Sequence, residues 1–353
     1  MSAPTLEDRL DLHSLRRRID SALEHYLSVK ALAAQADHLP SVPVEVIRNF
    51  VFVGGKRIRP LMCVLGWHAA RGQDETGPVI RAAASLELFH VFALIHDDVM
   101  DHSDTRRGHP TVHRTLAALR ASDTFGQSAA ILLGDMALAY SQEMLNTAGL
   151  SAGQLTAALP VVDAMRIEVI NGQYMDLDSS KELTDDLQRA LVVIRYKTAK
   201  YTVEHPLRLG VALAGTTPAV QAALSAYALP LGDAFQLRDD LLGVFGDPKT
   251  TGKPALDDLR EGKRTALLAL ALRHADPDQR ATLRRLVGDR DLKEEQAKTI
   301  RTILIETGAR ARTEELIDTQ YRAALRALDR APLPPCVLDV LHELAHTLTE
   351  RTR

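Results

Sequence analysis

An all-α fold is predicted for this 353-residue sequence by three observations. Apolar residues recur at three- and four-residue steps almost throughout, as in Val79, Ala82, Ala83, Leu86, Phe89, Ala93 and Leu94, the spacing of a helix with a buried stripe. Alternating strand patterns are scarce. Helix punctuation is clear: Thr217-Pro218 reads as an N-cap with proline in the first turn, and Asp291 with Glu294 resembles a capping box.

In chain order the periodicity places helices at 5–33, 43–70, 78–103, 110–119, 124–147, 153–177, 183–213, 217–246, 264–274, 277–287, 291–306, 309–329 and 333–350. Helix 78–103 carries the stripe quoted above into an acidic end, and Gly108 and Pro110 stop the chain from continuing it. Helix 217–246 opens on its proline and also runs into paired acids. Segments 78–96 and 217–235 are apolar around most of their circumference, which suits the centre of a bundle or a subunit interface. The stretch from Gly246 to Thr265 is charged rather than low-complexity, and no linker or repeat divides the chain, so one domain over 1–353 is expected.

Hydrophobic residues make up 46%, ample for a core, and the net charge of -3 lacks the basic excess of a nucleic-acid binder. Cys63 and Cys336 stand far apart without companion ligands, which argues against a disulfide framework or a zinc site. Glu7, Asp8, Arg9 and Asp11 interrupt any apolar signal-peptide stretch. Ala129 to Ala139 is broken by Asp135 and falls short of the roughly 20 residues that span a bilayer. A cytoplasmic protein without integral membrane association is expected.

Two acidic patches, Asp97-Asp98 with Asp101 and Asp239-Asp240, lie far apart in sequence and suggest one cavity with acidic walls. In a helix Asp97, Asp98 and Asp101 share one side of a turn, and like charges this close call for cations. Hard oxygen ligands suit magnesium, which commonly bridges one or two carboxylates to phosphates. Arg106-Arg107 follow the first patch, and Lys253 and Lys263 follow the second. Upstream, Gly54-Gly55-Lys56-Arg57-Ile58-Arg59-Pro60 joins three cations to a glycine pair able to expose backbone N–H groups to an anion; it lacks the Walker spacing.

Taken together, GGKRIRP, LFHVFALIHDDVMDHSDTRRG, YKTAKY, FQLRDDLLGVFGD and GKPALDDLREGKRT resemble, in order and spacing, the trans-polyprenyl diphosphate synthases, over most of residues 50–270. The resemblance implies a single-domain helical bundle of the isoprenoid synthase type around a deep central cavity, built as a homodimer. It implies three magnesium ions, with Asp97, Asp101 and Asp239 as ligands and Asp98 and Asp240 supporting them. Arg106, Lys197, Thr198, Gln236, Lys253 and Lys263 would clamp an allylic diphosphate (dimethylallyl, geranyl or farnesyl), and Lys56, Arg59, His90 and Arg107 would hold isopentenyl diphosphate. With these acids and Lys197 catalysing departure of diphosphate, no nucleophilic side chain is needed. One position departs: Gly243 stands where the family's second motif often has aspartate. Asp176 matches a cavity-facing family segment, and Lys200 and His96 are left outside the site.

The family sets product length five residues before the first aspartate, at Phe92. Ala93 lies roughly 6 Å below Asp97 and Phe89 roughly 12 Å, at about 1.5 Å per residue. A small Ala93 above Phe92 and Phe89 favours a C20 product, geranylgeranyl diphosphate, over C15 farnesyl diphosphate, with C30 or longer not expected. A class I terpene cyclase or an inactive partner subunit are the competing readings; a cyclase binds one diphosphate and has no use for the second basic group.

Overall fold

The computed structural model describes residues 10–72, 77–179, 183–215, 218–246 and 256–350, whose regular structure is helical save for one two-stranded ribbon. The chain forms two compact units, each assembled from separated stretches: 1–161, 206–221 and 333–340 in the first, 162–205, 222–332 and 341–353 in the second.

The first unit begins with α1 (Leu12–Ala36), opened by Asp11, whose carboxylate accepts from His13 N at 2.9 Å. The single helix expected over 43–70 is two helices, α2 (Val42–Phe52) and α3 (Ile58–Ala69). Gly54 (φ +73°), Gly55 (φ +127°) and Arg57 (φ +54°) all lie at positive φ between them, a conformation that no α-helix can carry through. Next comes α4 (Gly77–Met100), which buries Val79, Ile80, Leu86, Leu88, Phe89, Phe92 and Ile95. Each such side chain contributes about 1.5–3 kcal/mol on full burial, so α4 anchors the core of its unit. Among the described residues it alone is long and apolar enough to cross a membrane, yet 72% of its most apolar window is buried inside the protein.

Strands β1 (Thr105–Arg106) and β2 (His109–Pro110) pair antiparallel, with Arg106 opposite His109; α5 (Val112–Arg120) and α6 (Asp123–Asn146) follow, and α6 packs along α4. The helix α7 (Ala152–Ser179) starts in the first unit and, from Val162, belongs to the second. Then α8 (Leu187–Ile194), a π-helical segment Arg195–Glu204 and α9 (His205–Ala214) run on without a break, where one ordinary helix was expected over 183–213. Within the first unit α3 crosses the Leu207–Gly210 stretch of α9 with backbones touching. A side chain at Gly66 would meet the Leu207 carbonyl, and one at Gly210 the Cys63 carbonyl. Cys63 is buried and free, and burial pushes its thiol up.

The second unit continues with α10 (Pro218–Phe245), α11 (Asp257–Glu261), α12 (Ala266–His274), α13 (Pro277–Leu286), α14 (Glu294–Glu306), α15 (Ala309–Leu328) and α16 (Pro335–Thr349), whose first residues belong to the other unit. Its core gathers Leu237, Leu241, Leu267, Leu270, Leu283, Ile300, Leu304 and Ile317. The cap expected at Asp291 lies at Lys293, whose N–H donates to Gln296 at 2.8 Å; Thr217 lies outside the described residues. A capping box unnoticed in the sequence starts α13, where Asp276 accepts from Gln279 N at 2.8 Å.

Candidate active site

In the first unit the last turn of α4 carries Asp97 and Asp98, and Asp101 follows, its N–H donating to the Asp97 carbonyl at 2.8 Å. The three acids are not equivalent. Asp97 and Asp101 are partly exposed, whereas Asp98 is 1% exposed and faces Arg106, whose Nε donates to both its oxygens at 2.8 and 3.0 Å. Arg106 reaches Asp97 at 3.3 Å. Burial alone would lower the pKa of this guanidinium, but Asp98 and Asp97 outweigh burial and raise it. All three acids lie in the field of Arg106, but only Asp98 is fully buried, and Asp97 and Asp101 stay partly exposed. The ribbon explains the aim of Arg106: Arg107 (φ +53°) and Gly108 (φ +77°) make a tight left-handed turn, and Thr111 Oγ1 ties the loop back to the Ser103 carbonyl at 2.9 Å.

The predicted basic group also assembles in this unit. Arg107 Nη1 donates to the Val53 carbonyl at 3.0 Å, packing against Gly54 and Gly55. His90 is desolvated and sits in the field of Arg59, Arg107, Arg106 and Arg57, so its pKa is held well below the ordinary histidine value. A neutral imidazole among guanidiniums marks a place prepared for an anion. Lys56 is exposed on the same loop. Of the three cations of this loop, Arg57 is buried and anchors the loop through Asp20 at 2.7 Å and Glu87 at 2.8 Å. Lower on α4, Phe89 and Phe92 stack at 5.3 Å, and Phe92 meets the His96 ring edge-on at 4.8 Å. His96 Nε2 lies 3.1 Å from the Ile131 carbonyl on α6, in a space that exists because residue 134 is glycine.

The second unit holds the other acids. Thr198 Oγ1 donates to Gln236 Oε1 at 2.8 Å, and Gln236 Nε2 donates to Asp240 Oδ1 at 2.8 Å, so the π-helical segment and α10 share one hydrogen-bond chain. Burial pushes Asp240 up to about 7, reinforced by Asp258 and Asp239 and opposed by Gln236 and Lys263. Lys197 Nζ donates to Asp176 Oδ2 at 2.6 Å. Lys263 pairs with Asp258 at 3.3 Å and Glu261 at 2.8 Å. The departure at Gly243 has a structural counterpart: a side chain there would run into the Asp258 carboxylate. Asp258, missed because it sits in a charged stretch with no periodicity, joins Asp239 in acting on the Asp240 carboxylate. Lys253 lies outside the described residues.

Among the described residues no three acid, histidine or cysteine side chains form a ready-made metal cage. Magnesium fits such a site nonetheless, because it keeps several waters and takes one or two carboxylates with phosphate oxygens completing the shell. Asp97 and Asp101, four apart and partly exposed, have that donor chemistry.

Against known proteins, the polyprenyl synthetase family model matches residues 42–304. The chain belongs to that family. It is a prenyl diphosphate synthase, a transferase with the all-α fold. A crystal structure of geranylgeranyl pyrophosphate synthase from Corynebacterium glutamicum, complexed with isoprenyl diphosphate and magnesium, superposes with a TM-score of 0.92 at 42% identity. That match covers 97% of this chain and 99% of the other. The synthase is 32% identical over 313 residues to a geranylfarnesyl diphosphate synthase of Aeropyrum pernix, covering 88% of this chain and 92% of the relative. It is 35% identical over 254 residues to a geranylgeranyl diphosphate synthase of Saccharolobus solfataricus, covering 71% and 73%.

Proposed function

We propose that this synthase condenses isopentenyl diphosphate with an allylic diphosphate to an all-trans C20 product, geranylgeranyl diphosphate, as one functional domain over 1–353. The observation that carries the two-substrate reading is the basic group around His90. Arg59, Arg107 and Lys56 join it to hold a second diphosphate, which a class I terpene cyclase does not bind. C15 farnesyl diphosphate is the alternative product, with Phe89 and Phe92 closing the same pocket.

Asp97, Asp101 and Asp239 would hold three magnesium ions, which when bound neutralise the departing diphosphate. The chain's own residues do the rest. Asp98 keeps Arg106 beside Asp97; Asp240, held by Gln236, supports Asp239. Arg106, Lys197, Thr198, Gln236, Lys253 and Lys263 bind the allylic diphosphate as its negative charge grows. Lys56, Arg59, His90 and Arg107 orient isopentenyl diphosphate so that its alkene meets the allylic carbon. Apolar walls such as Phe89 and Phe92 exclude water from the cation.

Supporting a homodimer, α6 exposes Ile131 and Leu132, and α7 exposes Ile167, Ile170 and Tyr174. A cytoplasmic location is part of the proposal. Incubation with isopentenyl diphosphate, each allylic primer and magnesium, followed by product sizing, tests the assignment. A C20 chain is expected; a cyclic hydrocarbon made from one diphosphate sinks it, as does absence of turnover. Light scattering of wild type and Leu132→Glu tests the dimer, which the charge should weaken.

A further inference from the structure

The ten-residue π-helical segment Arg195–Glu204 is gripped from two sides within the second unit. On α7, Glu168, Gly172 and Asp176 lie four apart and form one stripe. At one end both Glu168 oxygens accept from Lys200 Nζ at 2.9 Å, and Oε2 also accepts from His205 Nε2 at 2.6 Å. At the other end Asp176 takes Lys197. Between them a Cβ at Gly172 would lie 2.5 Å from the Lys197 nitrogen and 2.7 Å from the Tyr196 carbonyl carbon, so the two backbones are in contact. On the opposite face of the segment, Gly232 of α10 meets the Ala199 backbone, Asp233 accepts from Arg195 Nε at 3.0 Å and Gln236 accepts from Thr198.

π-Geometry is rare and seldom longer than one turn, so ten residues of it need outside support. Relaxing one turn to α-geometry would displace one residue and rotate the following side chains by about 100°. The grip is half-buried: His205 is 1% exposed, and against the upward push of burial the bonds from His205 and Lys200 hold the Glu168 carboxyl below the usual carboxylate range.

We infer that Glu168 and Gly172 are positioning residues of the reaction: they hold the segment in π-geometry, and thereby aim Lys197 and Thr198 at the allylic diphosphate. The inference rests on assigning those two residues to that substrate. It also gives Lys200 a structural role, as the cation through which Glu168 acts.

The test is steady-state kinetics with each substrate varied separately, on wild type, Glu168→Gln, Glu168→Asp and Gly172→Ala, alongside thermal melts. Glu168→Gln and Gly172→Ala should raise KM for the allylic diphosphate roughly 10- to 100-fold, the scale of an ångström of misplacement. KM for isopentenyl diphosphate should change less than about twofold, and Glu168→Asp should recover most of the loss. Equal rises in both KM values, or a lowered Tm with both KM values unchanged, overturn the inference. Glu168→Gln serves as the decisive variant should Gly172→Ala fail to fold. A wild-type protein that condenses nothing sinks the functional reading itself, a result distinct from a working enzyme with an indifferent Glu168.

Discussion

Arg106 closes on Asp98 through a fork of 2.8 and 3.0 Å contacts, while its reach to the neighbouring Asp97 is 3.3 Å. Removing Asp98 strands a guanidinium in a desolvated place, whereas removing Asp97 leaves the pair intact. Asp98→Ala should cost about 3–5 kcal/mol in metal-free urea unfolding. Asp97→Ala should cost less than about 1 kcal/mol there and yet abolish magnesium-dependent turnover. Equal stability losses in the two variants would contradict the division of labour.

The carboxylate of Asp258 stands where a side chain at residue 243 would go. Asp258→Ala should therefore raise the magnesium concentration needed for half-maximal turnover. It should also weaken magnesium-dependent binding of inorganic diphosphate measured by calorimetry. Adding Gly243→Asp to that variant, where the 258 side chain no longer blocks it, returns a carboxylate to the same space and should recover both. Failure of the double variant to improve on Asp258→Ala counts against the exchange.

His90 is kept neutral by burial and by Arg59 and Arg107. Below about pH 6.5 the unfolded chain takes up a proton at this histidine that the folded protein refuses. The folded state therefore loses stability as pH falls, by at most about 1.4 kcal/mol per pH unit from this group. His90→Gln should flatten the dependence of unfolding free energy on pH below 6.5. Diphosphate binding beside His90 should raise its pKa, giving proton uptake in calorimetry at pH 6 with buffers of different ionisation heat.

Phe92 leans on His96, and His96 occupies the space left by Gly134. Phe92→Ala or Phe89→Ala should lengthen the product. Gly134→Ala should displace His96 and shift the product distribution without abolishing condensation. An unchanged distribution in all three variants would remove these rings from length control.

The helices were legible because burial imposes a 3.6-residue period on sequence, and α4 and α10 carry that period strongly. The breaks were not. Gly54, Gly55 and Arg57 interrupt a run whose apolar spacing continues through them, and a π-helical insertion alters hydrogen-bond register without altering composition. The acid-rich and basic motifs were legible as charge clusters, and the basic loop indeed gathers at His90. Which acid of a triplet turns inward depends on where a guanidinium arrives from, so the commitment of Asp98 to Arg106 had no local signal. Asp258 was invisible for another reason: it sits in a charged stretch with no periodicity, and the space its carboxylate fills is left by the absent side chain at Gly243.

Because each compact unit is stitched from distant stretches, synthesis on the ribosome has a consequence. The first unit includes residues 333–340, so it stays incomplete until nearly the whole chain has emerged. At about 5–20 residues per second, its N-terminal helices wait on the order of ten seconds or more after residue 161 before their last partner arrives. During that interval α4 already packs against α6, but Val337, buried in the finished unit, has not yet been made. Nascent chains halted before residue 333 should therefore lean on chaperones far more than the completed enzyme does.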